Sequence, residues 1–109
     1  MTDLTNDVWI RICGSDELAP GERREISLPN GQLVLLMRTE KRLIACPADC
    51  PHQDTPLLDA PIDGDTLTCP AHFWQWDLAT GDPLGIAEMR LHIYPVREDE
   101  NCISIYAAS

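Results

Sequence analysis

Between Cys50 and Trp76 the chain reads CPHQDTPLLDAPIDGDTLTCPAHFWQW. It offers a Cys-x-His pair (Cys50, His52) and a Cys-x-x-His pair (Cys69, His72) with sixteen residues between them. Within 46–85 lie Pro47, Pro51, Pro56, Pro61, Pro70 and Pro83, six of the nine prolines, together with Gly64, Gly81 and Gly85. Proline fixes φ and removes a backbone donor, so this segment is built from shaped loops, with only short strands at DTLTC and FWQWD. Residues two and three apart in such loops can point at one centre. The intervening TPLLDAPIDGDTLT, with a turn at Gly64, is long enough for a hairpin that returns the second pair beside the first.

Outside this segment the texture is that of β-structure. VWIRIC (8–13) is rich in β-branched and aromatic residues. REISL and LVLLMR flank the turn pair Asn30-Gly31, and LIA follows the polar EKR. MRLHIYPV and NCISIY alternate apolar and polar residues and read as strands joined by the polar turn REDE. GSDELA and GIAEM each allow one helical turn. The expectation is an all-β fold, an antiparallel β-sandwich with a loop-rich subdomain inserted at about 46–85. At 109 residues it reads as a single domain over 1–109.

Composition removes several functions. Asp and Glu outnumber Lys and Arg by 18 to 8, a net charge of −10, which makes nucleic acid a poor partner. A basic protein surface is the complementary partner. No segment approaches the roughly 20 apolar residues that span a bilayer. The start, MTDLTNDVWIRICG, has no basic region followed by an apolar run, so a cytoplasmic location is expected. Five cysteines, an odd number, argue for metal rather than a disulfide framework. Cys13 and Cys102, in alternating apolar runs, read as buried structural thiols, as does Cys46. His92 falls on the polar side of RLHIYPV and is given no ligand role. No phosphate-binding glycine motif or nucleophile elbow is recognisable, so nucleotide binding has no support in the sequence.

Two thiolates and two imidazoles suit tetrahedral zinc. Zinc fingers, however, pair like with like, whereas here each loop supplies one of each. The alternating order Cys, His, Cys, His suits a centre with two different metal ions, one taking both thiolates and the other both imidazoles.

These motifs resemble the signature of Rieske proteins. CPHQ and CPAH are similar to the two cluster loops of that family, and WQWDLATGDPLG to its following strand, Thr-Gly turn and proline-bearing third loop. The resemblance implies one 2Fe-2S cluster, with Cys50 and Cys69 on the inner iron and His52 and His72 on the outer one. Respiratory members carry an additional cysteine in each loop, and the two form a disulfide. The matching positions here are Thr55 and Ala71. The family's serine and tyrosine donors to sulfur are replaced by Trp74 and Trp76. Hydrogen bonds to sulfur favour the reduced state, so their loss implies a potential near the low end of the Rieske range, on the order of −150 mV.

AHFWQW is most similar to the ferredoxin components of multicomponent diiron monooxygenases acting on toluene or alkenes. That likeness implies electrons arriving from an NADH-dependent flavin reductase and leaving to a diiron hydroxylase, with docking through His52, His72, Phe73 and Trp74. Other readings are the ferredoxin of an aromatic-ring dioxygenase, a fixed redox subunit, and a zinc-stabilised interaction module.

Overall fold

The computed structural model describes residues 7–29, 31–51, 55–71 and 73–108. Among the described residues ten strands form three antiparallel sheets. The first holds β1 (Asp7–Gly14), β10 (Cys102–Ala108) and β9 (Val96–Asp99), in that order. The second runs β2 (Arg23–Ser27), β3 (Leu33–Arg38), β4 (Leu43–Pro47). The third runs β5 (Ile62–Asp63), β6 (Thr66–Thr68), β7 (Gln75–Asp77), β8 (Pro83–Leu84). One 3-10 turn, Ser15–Glu17, follows β1 where GSDELA allowed it.

Strand β3 explains how these sheets share a core. Val34, Leu35, Leu36 and Met37 are all buried, an uninterrupted apolar run of the kind a strand needs when both of its faces are covered. Val34 and Leu36, with Ala45 of β4, pack against Ile103 and Ile105 of β10 and against Leu18, Leu28 and Tyr94. Leu35 and Met37, with Ile44 and Cys46, pack toward Leu57, Leu67, Trp76, Leu78 and Leu91. The second sheet is therefore both one wall of the sandwich and the floor of the proline-rich half. Arginines outside that half tie it down. Arg23 Nη1 donates to the carbonyls of Leu58 and Ala60 at 2.8 and 2.6 Å, and Arg42 donates twice to the Asp65 carboxylate at 3.2 Å.

The hairpin anticipated around Gly64 is present, with Ile62 opposite Leu67 and Asp63 opposite Thr66. Gly31 has φ +90° in the β2–β3 turn, and Leu28 N–H donates across it to Gln32 O at 2.8 Å; Asn30 lies outside the described residues. Three expectations are corrected. MRLHIYPV is not a strand. Leu91 N–H donates to Gly81 O at 2.9 Å and Tyr94 N–H to Ala45 O at 2.8 Å, so the segment bridges two sheets and has no continuous partner. Its alternation still reports burial: Leu91 and Tyr94 are buried, and His92 is exposed with its ring 4.5 Å from that of Tyr94. REDE is not the turn either; Val96–Asp99 forms β9, and the turn is Glu100-Asn101, both at positive φ (50° and 64°), closing a two-residue hairpin onto Cys102. A charged run is acceptable there because β9 is an edge strand. GIAEM forms no helix. Gly85 at φ +59° turns the chain instead, with Ala87 N–H donating to Leu84 O at 3.2 Å.

Candidate metal centre

Two loops rise from the core with the same construction. In the first, Ala48 N–H donates to Leu33 O at 3.1 Å, and Leu57 N–H returns to Ala48 O at 2.8 Å. At the head of the loop, Cys50 N–H donates to Thr55 O at 2.9 Å. The second joins β6 to β7, where Thr68 pairs with Gln75 and Cys69 N–H donates to Trp74 O at 2.8 Å. Each loop thus opens on a Cys-Pro step, and each cysteine N–H reaches the carbonyl five residues on. Proline after the cysteine suits both, since neither Pro51 nor Pro70 needs an N–H of its own in the closing bond.

The two cysteines are 3% (Cys50) and 0% (Cys69) exposed, and both lie in one apolar cluster, outside any disulfide. Two buried sulfurs, each at the head of a matched loop, supply a soft donor pair suited to iron or zinc. His52 and His72 lie outside the described residues. By sequence, each falls within a loop closed by one of these bonds. The donor set fits a two-thiolate, two-imidazole centre.

Phe73 and Trp74, adjacent in sequence, part company here. Phe73 has φ +64°, a left-handed conformation that is rare for a bulky residue, and its N–H closes back on Cys69 O at 2.8 Å. Its side chain is 69% exposed, whereas Trp74 is 8% exposed and meets Trp76 edge to face, ring centroids 6.3 Å apart. Trp74 is therefore core rather than docking surface, which corrects that part of the sequence reading. Trp76 Nε1–H donates to Met89 O at 2.8 Å, so this indole is committed to backbone and not to cluster sulfur.

A model of the Rieske [2Fe-2S] domain matches residues 8–95 of the chain. The chain belongs to the Rieske [2Fe-2S] family. It is 30% identical over 90 residues to the ferredoxin component of the alkene monooxygenase system of Xanthobacter autotrophicus, covering 82% of this chain and 73% of that protein. It is 29% identical over 96 residues to the ferredoxin component of the p-cumate 2,3-dioxygenase system of Pseudomonas putida, covering 86% and 80%. Among solved structures, the ferredoxin of carbazole 1,9a-dioxygenase from Nocardioides aromaticivorans IC177 superposes with a TM-score of 0.77 at 23% identity, covering 90% of this chain and 96% of that one. That likeness bears on the fold, a Rieske-type antiparallel β arrangement. The cofactor of this Rieske domain is a 2Fe-2S cluster of the Rieske type.

The remaining thiols have other surroundings. Cys46 is buried beneath the cluster half, and desolvation pushes its pKa up to about 12, against a smaller downward pull from Arg23. Cys13 and Cys102 are half-buried rather than buried, because both lie at the end of the β1–β10 ladder where the sheet opens to solvent. At pH 8 burial keeps the Cys46 thiol protonated. Iodoacetamide at that pH should modify the half-buried Cys102 at least tenfold faster than the buried Cys46, as read by peptide mass spectrometry. Comparable rates would show that the core opens readily.

Several contributors were not visible in the sequence. Arg23 looked like one surface cation among eight, and only the fold brings it to the Leu58 and Ala60 carbonyls. Ile86 and Met89, exposed beside the second loop, lay in a stretch expected to be helical. Gly81 carried one signal, the Thr-Gly pair, but not its reason, the approach of Leu91.

Proposed function

We propose that this Rieske domain, spanning 1–109 with its cluster-binding part at about 46–85, is a one-electron carrier. Cys50 and Cys69 would hold the inner iron and His52 and His72 the outer. Electrons would come from an NADH-dependent flavin reductase and pass to the diiron hydroxylase of a hydrocarbon monooxygenase. The observation that carries the ligand assignment is the matched pair of loops, each headed by a buried cysteine and each containing one of the two histidines in sequence. The choice of a monooxygenase is supported by the 30% identity to the alkene monooxygenase ferredoxin. The p-cumate dioxygenase relative favours a second reading, the ferredoxin of an aromatic-ring dioxygenase.

When bound, the cluster supplies a one-electron couple. The chain's contribution is to fix its ligands and its field. The two thiolates are held in an apolar setting by loops whose closing bonds are made through backbone. Segment 46–85 contains seven aspartates and neither lysine nor arginine, so it carries seven of the ten net negative charges. That field opposes the arrival of a further negative charge. The absence of hydroxyl side chains at 74 and 76, with the Trp76 N–H engaged elsewhere, acts in the same direction. A low-potential carrier follows, on the order of −150 mV, suited to accepting electrons from a reduced flavin.

The test is an anaerobic spectrum of the purified protein before and after dithionite. A red-brown protein is expected, whose reduced form gives a paramagnetic signal of low average g. A colourless zinc protein, or the signal of an all-cysteine cluster, would overturn the ligand assignment. Supplying the reduced protein to a diiron hydroxylase and to a ring dioxygenase then separates the two partner readings by which one turns over.

A further inference from the structure

Three of the five large apolar side chains exposed among the described residues lie in two neighbouring places: Phe73 at 69%, Ile86 at 67% and Met89 at 45%. Strands β7 and β8 pair antiparallel, Gln75 opposite Leu84 and Trp76 opposite Pro83. Phe73 precedes β7 and Ile86 follows β8, so both emerge from the same end of this ladder. Ile86 sits in the turn closed by Ala87 N–H onto Leu84 O, and Met89 is fixed by its carbonyl to the Trp76 indole. Phe73 holds a left-handed backbone conformation, rare for a bulky residue, and its ring is exposed where Trp74 is buried.

Charge is distributed unevenly around this apolar group. All eight lysines and arginines lie outside 46–85, and seven aspartates lie within it. Arg42 and Arg90 pair with Asp65 and Asp82. Asp49, Asp59 and Asp63 are exposed, as is Glu88 between Ile86 and Met89. The half that bears the cluster loops is thus an apolar tip in an anionic field, its one neighbouring cation, Arg90, paired with Asp82, while the other seven cations lie in the sandwich behind it.

The geometry points to a docking surface in which Phe73, Ile86 and Met89 enter an apolar hollow on a partner protein rimmed by lysine and arginine. This rests on the carrier reading and adds the chemistry of the partner's face. Apolar contact at the tip sets the approach, and complementary charge raises the encounter rate without tight binding. Segment 85–90 joins the second cluster loop as part of the recognition surface.

Cytochrome c, whose haem edge opens within a ring of lysines, serves as the probe. In each transfer the dithionite-reduced protein loses one electron and one ferric haem becomes ferrous. The second-order rate, followed by stopped flow, should fall at least tenfold between about 10 mM and 300 mM salt, as screening removes the attraction. Ile86→Ser and Phe73→Ser, both at exposed positions, should each slow it about five- to tenfold while leaving the visible spectrum and the rate with ferricyanide unchanged. Parental rates with cytochrome c in both variants, or a rate that rises with salt, would overturn the docking proposal. A protein showing no dithionite-reducible signal would instead remove the carrier reading on which it rests.

Discussion

Replacing Gly81 with alanine is expected to destabilise the protein by about 3 kcal/mol or more, enough to lower the melting temperature by over 10 °C. Gly81 has φ +82°, and a Cβ built there would lie 2.1 Å from Leu91 O and 3.1 Å from Ile93 Cγ1. The left-handed conformation alone costs a non-glycine residue roughly 1–2 kcal/mol. The remainder comes from the backbone atom in the way. Leu91 cannot yield cheaply, because its own N–H donates to Gly81 O at 2.9 Å and its side chain is buried with Trp76 and Cys69. Gly64 provides the control. Its φ is +63°, nothing lies within 4 Å of a Cβ there, and Gly64→Ala should cost only the conformational part, about 1 kcal/mol. Thermal unfolding followed by circular dichroism, together with the half-life of the visible absorbance at a fixed temperature, tests the pair. Equal losses in the two variants would mean that the contact with Leu91 relaxes and only φ matters.

That contact also illustrates what the sequence could and could not convey. The cluster loops were legible because Cys-Pro steps and nearby histidines are local signals, and β3 because four successive apolar residues admit few alternatives to a strand covered on both faces. The approach of Gly81 to Leu91 joins residues ten apart through a turn that no local pattern specifies. MRLHIYPV misled for a related reason: alternation records which side chains are buried, not which backbone groups are paired. Leu91 and Tyr94 are both buried, yet one bonds to the β7–β8 connection and the other to β4. β9 was missed because three of its four side chains are charged, with only Val96 reaching the core. The opposite fates of Phe73 and Trp74 turn on one positive φ, which aromatic composition does not announce. His52 and His72 remain assignments from the motif, and their chemistry is open to direct measurement.

With His72 replaced by cysteine, the midpoint potential is expected to fall by on the order of 100 mV. Low-potential Rieske centres lie near −150 mV and plant-type all-cysteine clusters near −400 mV, a span of about 250 mV for two exchanged ligands. One exchange should account for roughly half. A neutral imidazole gives way to a thiolate, the centre gains a negative charge, and adding an electron becomes harder by about 2.3 kcal/mol per 100 mV. The field of segment 46–85 adds to this in the parent and the variant alike, because the exchange removes none of its seven aspartates. The difference therefore reports the ligand rather than the surface. Redox titration under anaerobic conditions measures it, with Ile86→Ser as the companion variant. Ile86 is exposed at the docking tip, and its exchange for serine alters no charge, so its potential should stay within about 20 mV of the parent, whereas its rate with cytochrome c falls. A potential unmoved in His72→Cys would separate His72 from the cluster, and one that rose would invert the charge argument. A fall there, with Ile86→Ser unshifted, separates the two roles of the second loop: holding the outer iron and presenting it to a partner.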